Sequence, residues 1–129
     1  MNNLDKESII GISALLVHAA NIDEIYSNHE KELIKNFINS YLKGENTNEV
    51  LKKAEEIEKS SNQLLNYTNI IKQKSMDIKK DIVEHLWKVI ISDNSVDQYE
   101  ANLMRRICGL IYFPDKESAE IKLKLLNSK

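Results

Sequence analysis

At 129 residues the chain has the size of one domain, able to bury roughly two thirds of its unfolded surface around one core, and residues 1–129 are expected to form a single unit. Three Gly and one Pro leave few breakers, while Leu, Ile, Lys, Glu and Asn dominate, which favours an all-α fold over a turn-rich sandwich or barrel. The net charge of -2 comes from 18 basic and 20 acidic residues mixed along the chain, so no block of one sign is available to grip nucleic acid or a membrane surface.

The first predicted helix runs from about Asp5 to Ala20, with Ile9, Ile12, Leu15, Leu16 and Ala19 on one face at three- and four-residue steps. Gly11 inside it costs about 1 kcal/mol relative to Ala, and a tight helix crossing near Gly11 and Ala14 is the expected compensation. A loop from Asn21 to Ser27 leads to a second helix, from about Asn28 to Leu42, carrying Leu33, Ile34, Phe37, Ile38 and Tyr41 and stopped by Gly44. Between Thr47 and Gln73 the apolar positions are Val50, Leu51, Ala54, Ile57, Leu64, Leu65, Ile70 and Ile71. The polar stretch Glu58-Lys59-Ser60-Ser61-Asn62 divides them into two helices. Ser75 caps a fifth helix to about Ile91, whose end, from Leu86 to Ile91, is apolar on nearly all sides, and this helix is expected to be the central, most buried one. After the loop from Ser92 to Val96, a sixth helix carries Tyr99, Leu103, Ile107, Leu110 and Ile111 on one stripe. Pro114-Asp115 then starts a seventh.

Cys108 is the only cysteine and lies in an apolar run, so neither an internal disulfide nor a thiolate metal site is available, which fits a reduced, cytoplasmic compartment. Met1 to Glu7 lack a basic leader and a small-residue cleavage site, and charges interrupt every apolar run well short of about 18 residues. Membrane insertion is not expected.

Aligned with itself at an offset of 70 residues, the chain matches Leu16 with Leu86, Asp23 with Asp93, Glu30 with Glu100 and Leu33 with Leu103, and Ser27 falls on Asp97. Both copies read apolar helix, Asp, acidic or hydroxyl cap, Glu, apolar helix, a repeated helix-loop-helix that predicts a pseudo-twofold arrangement of the two units. Ser27-Asn28-His29-Glu30 and Asp97-Gln98-Tyr99-Glu100 both have capping-box spacing, in which the cap oxygen and the Glu carboxylate satisfy each other's amides. Asp23 and Asp93 then fold the loops by accepting backbone N–H groups. The competing reading makes Asp23, Glu30, Asp93, Asp97 and Glu100 oxygen ligands to a hard divalent cation, Ca²⁺ or Mg²⁺. The pattern is not an EF-hand: counted from Asp93, Gln98 stands at the turn-glycine position and Met104 at the bidentate Glu position.

Leu86-Trp87, Asp93, Asp97, Tyr99-Glu100, Leu103, Arg105-Arg106 and Leu110-Ile111-Tyr112 resemble the C-terminal signature of TerB-like domains, the tellurite-resistance protein B-like proteins. Upstream, Leu16-Val17, Ala20-Asn21-Ile22-Asp23 and Glu30 resemble the first acidic loop of that family, so the resemblance spans Ile9 to Leu126. Where the family places glycine after each loop aspartate, this chain has Glu24 and Asn94, and Ser27 replaces a common acid. The resemblance implies about seven helices, cytoplasmic residence, a link to tellurite and other chemical stress, and a binding or scaffolding role.

His18, His29 and His85 show no metal-ligand spacing, and Arg105-Arg106 are expected to pair with Glu100 or Asp97. Trp87 and Tyr99 read as core, and no serine or cysteine has a recognisable nucleophile context. The sequence therefore points to a non-enzymatic interaction or scaffold domain with a protein partner, a second copy of the chain included. The alternative is a metal-dependent enzyme ligated by the five acids.

Overall fold

The computed structural model describes residues 5–21, 27–42, 47–60, 64–91 and 98–127, with the backbone alone for residues 64–66 and 98–99. Seven helices and no strand occupy these residues: α1 (Lys6–Ala20), α2 (Asn28–Tyr41), α3 (Thr47–Ser60), α4 (Leu64–Lys72), α5 (Met76–Ile91), α6 (Gln98–Leu110) and α7 (Asp115–Asn127). The expected order and all seven elements are present. Gly44, the expected stop of α2, lies outside the described residues.

Local chemistry sets the ends. Asp5 is extended and its carboxylate accepts from the Ser8 amide at 2.8 Å, which starts α1. The hydrogen bonds from Ser8 hold that carboxyl below its ordinary value. The Ile78 amide donates to Ser75 Oγ at 3.3 Å, the cap expected for α5. At the end of α6 the Phe113 amide donates to the Cys108 carbonyl at 2.8 Å and the Tyr112 amide to Gly109 at 3.4 Å, a Schellman closure. It places Tyr112 at φ 60, a left-handed conformation that a glycine adopts without strain. Pro114 follows and blocks continuation.

The sequence expectation put α5 at the centre, but α1 is buried over more of its circumference. From Ile9 to Ala20 every residue except Ile10 and His18 is buried, and α1 packs against α2, α3, α4 and α5. The physical reason is side-chain size: Gly11, Ser13, Ala14, Ala19 and Ala20 let neighbours approach on sides that an amphipathic reading leaves open. At Gly11 an added methyl group would overlap Cδ1 of Ile70, so the close crossing expected there is made by α4. Relief needs only a rotation of the flexible Ile70 tip. α5 shares the centre, lying against α1, α2 and α7, and buries Ile82, Leu86, Trp87, Val89, Ile90 and Ile91.

The helix-loop-helix at the start recurs 70 residues on, with Lys6 onto Met76 at the start of the first helix and Asn28 onto Gln98 at the start of the second. α4 bridges the two copies, packing on α1 in one and on α6 in the other. Among the described residues no helix is long and apolar enough to cross a membrane.

Candidate functional site

Of the five acids singled out by sequence, Asp23, Asp93 and Asp97 lie outside the described residues, and Glu30 and Glu100 open α2 and α6. Both glutamates are buried, at 7% and 5% exposure, an unusual place for a carboxylate unless it is hydrogen-bonded. For Glu30 the partner is Ser27. The Ser27 amide donates to Glu30 Oε1 at 2.8 Å, its hydroxyl donates to the same oxygen at 3.0 Å, and the Glu30 amide donates to Ser27 Oγ at 3.2 Å. This is the reciprocal capping box read from the sequence. Glu30 Oε1 thus spends its acceptor capacity inside its own helix turn. Among the described residues no group of three or more His, Cys, Asp or Glu side chains converges as a metal site.

The histidines divide by environment. His29 is exposed, whereas His18 on α1 reaches Glu58 on α3, Nδ1 to Oε2 3.3 Å, and Asn21 donates to Oε1 of the same carboxylate at 3.3 Å. His85 Nδ1 lies 2.8 Å from the Asp81 carbonyl; since a carbonyl only accepts, this nitrogen carries the proton. Tyr41 on α2 donates to Asp81 Oδ2 at 2.6 Å. Burial, reinforced by the Asp81 carboxylate, raises the Tyr41 hydroxyl well above its ordinary value. These contacts join α2 to α5 and α1 to α3 across about 40 residues of sequence, so no local spacing announces Glu58 or Asp81.

Cys108 is fully buried, and burial raises its thiol above the ordinary value, with the Ser118 hydroxyl opposing and Asp115 adding to the rise. A thiol in that state is a weak nucleophile. Neither Arg105 nor Arg106 makes an ion pair among the described residues, so a pairing with Glu100 is not formed, and the alternative partner, Asp97, lies outside those residues; both arginines are exposed on α6. Trp87 is core, as expected, and the Tyr99 side chain lies outside the described set.

A surface feature that the sequence reading missed is an apolar groove of ≈ 490 Å³ between α1, α3 and α4. Ile10, Gly11, Ile57, Tyr67 and Ile70 form its apolar surface, with Glu7, Lys53 and Glu56 among its polar borders. Ile57, one of the apolar positions of α3, is 38% exposed here. The signal was available: Ile57 sits three residues past Ala54, at the edge of the α3 stripe, where half the side chain must face out.

Seven helices, with a buried carboxylate at the third residue of both α2 and α6, define a class of all-α domain. The chain belongs to the TerB family: the family model described as tellurite resistance protein TerB matches residues 10–123. No curated protein and no solved structure matches the chain.

Proposed function

We propose that residues 1–129 act as one cytoplasmic domain that serves the response to tellurite or related chemical stress by holding a protein partner. The observation that carries this reading is the apolar groove between α1, α3 and α4, together with the exposed Ile57 on its border. Its polar border contains two acids and one lysine, and Lys53 is already engaged by Glu49 at 3.8 Å, which leaves the rim acidic on balance. The occupant that complements it is an amphipathic helix with apolar anchors at helical spacing and a basic edge.

The five acids are assigned the bland role. Glu30 is a capping carboxylate, Glu100 holds the equivalent place, and Asp23, Asp93 and Asp97 are read as loop and cap groups of the same repeat. Cation binding at these acids is the rival, and calorimetric titration with Ca²⁺ and Mg²⁺ separates the two. Heat of binding at a defined stoichiometry supports the rival, and none supports capping.

The groove reading is tested with a synthetic Leu/Lys amphipathic helix and amide chemical-shift mapping. The expected result is perturbation around Ile10, Ile57, Tyr67 and Ile70 that is lost in Ile57→Asp. Binding elsewhere, or binding that ignores Ile57→Asp, would sink it. In cells, Ile57→Asp should reduce survival under tellurite without lowering the amount of protein.

A further inference from the structure

We propose that a second cavity, between α5, α6 and α7, binds a small carboxylate carried on an apolar body. It measures ≈ 370 Å³, within the range of small-molecule sites. Trp87 and Met104, only 4% and 1% exposed, form its floor, Ala101 and Ala119 give it width, and Arg105 and Lys122 supply the positive charge.

Trp87 is 4% exposed and its indole N–H donates to Ser118 Oγ at 2.9 Å. That bond fixes the ring and uses its only donor, so the small part of the indole that reaches the cavity is apolar. Lys122 Nζ lies 5.6 Å from the Trp87 ring centroid, inside cation–π range. Neither Lys122 nor Arg105 is in an ion pair among the described residues, whereas Lys35 on α2 and Lys53 on α3 are. Two cations outside any ion pair, beside an apolar floor with one carboxylate, Asp115, at the border, leave net positive charge for an anion attached to a flat or apolar group. The guanidinium fork of Arg105 matches a carboxylate or a phosphate. Asp115 also lines the cavity and cancels one positive charge, which favours a singly charged carboxylate over a phosphate dianion.

The internal repeat acts as a control. At the equivalent places in α1 and α2 stand Val17 for Trp87, Lys31 for Ala101 and Lys35 for Arg105, and Lys35 is paired with Glu32 at 3.7 Å. The first unit therefore has a small aliphatic residue where the second has an indole, a long side chain where the second has Ala, and a neutralised cation where the second has an unpaired one.

Trp87 is the only tryptophan, so its fluorescence reports directly on the cavity. The probes are phenylacetate, acetate, phenylacetamide, inorganic phosphate and a peptide ending in phenylalanine. Phenylacetate should give a saturable change, and acetate, phosphate and phenylacetamide should bind at least about tenfold more weakly. Arg105→Gln and Lys122→Gln should each weaken phenylacetate about tenfold, which is about 1.4 kcal/mol. Ala101→Lys, which installs the residue of the first unit, should abolish binding while circular dichroism stays unchanged. A peptide tighter than phenylacetate identifies a partner's C-terminal carboxylate as the source, and the reverse identifies a free acid. The proposal is overturned by no saturable change up to about 10 mM, beyond the weak end of specific affinities. It is equally overturned if phenylacetamide binds as well as phenylacetate, or if all three variants bind normally. None of these readouts involves Ile57 or the groove, so the two proposals stand or fall separately.

Discussion

The α1–α2 and α5–α6 units share a pattern 70 residues apart, yet equivalent buried positions hold different chemistry. Ile9 in the first is Lys79 in the second, both buried; Ser13 is Val83, both buried; Val17 is Trp87. Lys79 is only 7% exposed, a degree of burial that a long charged side chain tolerates when its stem packs and its amine reaches solvent. The units also end differently, since α6 closes through Tyr112 in the left-handed region whereas Leu42 after α2 has φ -117. What the repeat preserves is the hydrophobic spacing and the carboxylate at the second helix start. What it releases is the identity of residues facing α3, α4 and α7, which differ between the two sides.

The largest test of equivalence is at Leu16 and Leu86, both fully buried. Truncation to Ala at either should cost about 2–5 kcal/mol in chemical denaturation, and a silent result at one would break the comparison. Ser13 runs the other way. Its hydroxyl is buried without a hydrogen-bond partner, so Ser13→Ala should stabilise by about 1–3 kcal/mol, moving the first unit toward the Val83 chemistry of the second.

Caps come next. Ser27→Ala should lose about 0.5–2 kcal/mol, and Asp97→Ala should lose a similar amount if Asp97 caps α6 as Ser27 caps α2. Asp97→Asn separates capping from cation binding, because Asn caps about as well as Asp but replaces a charged oxygen with a neutral one. A cation-dependent rise in Tm that disappears in Asp97→Asn, with the metal-free protein unchanged, would establish the cation reading there.

The glycines offer a finer contrast. A methyl group at Gly109 meets open space, so Gly109→Ala should gain about 0.5–1 kcal/mol of helix stability. Gly11→Ala should gain less or lose, because Ile70 must give way. The smallest effect is expected in alkali. Tyr41 has a folded-state pKa above its unfolded value near 10, so its contribution is intact below about pH 10 and is lost as pH rises toward the folded value. Tyr41→Phe should flatten the decline in Tm above pH 10; an unchanged alkaline slope would argue against the bond to Asp81.

The amino-acid order alone determined the seven helices, the caps at Ser27 and Ser75 and the capping box of Glu30. These depend on interactions within one turn or on a 3.6-residue period, which a linear reading sees directly. Family membership was equally legible, since its signature is carried by residues close together in the chain. Tertiary structure alone decided that α1 is enclosed on more sides than α5, that Ile57 borders a groove, that Glu58 receives His18 and Asn21, and that Arg105 shares a cavity with Trp87 and Lys122. Each of those outcomes depends on which helices meet and how closely. That is set by side-chain volumes on different elements tens of residues apart, and spacing along one helix carries no record of the volume it will face.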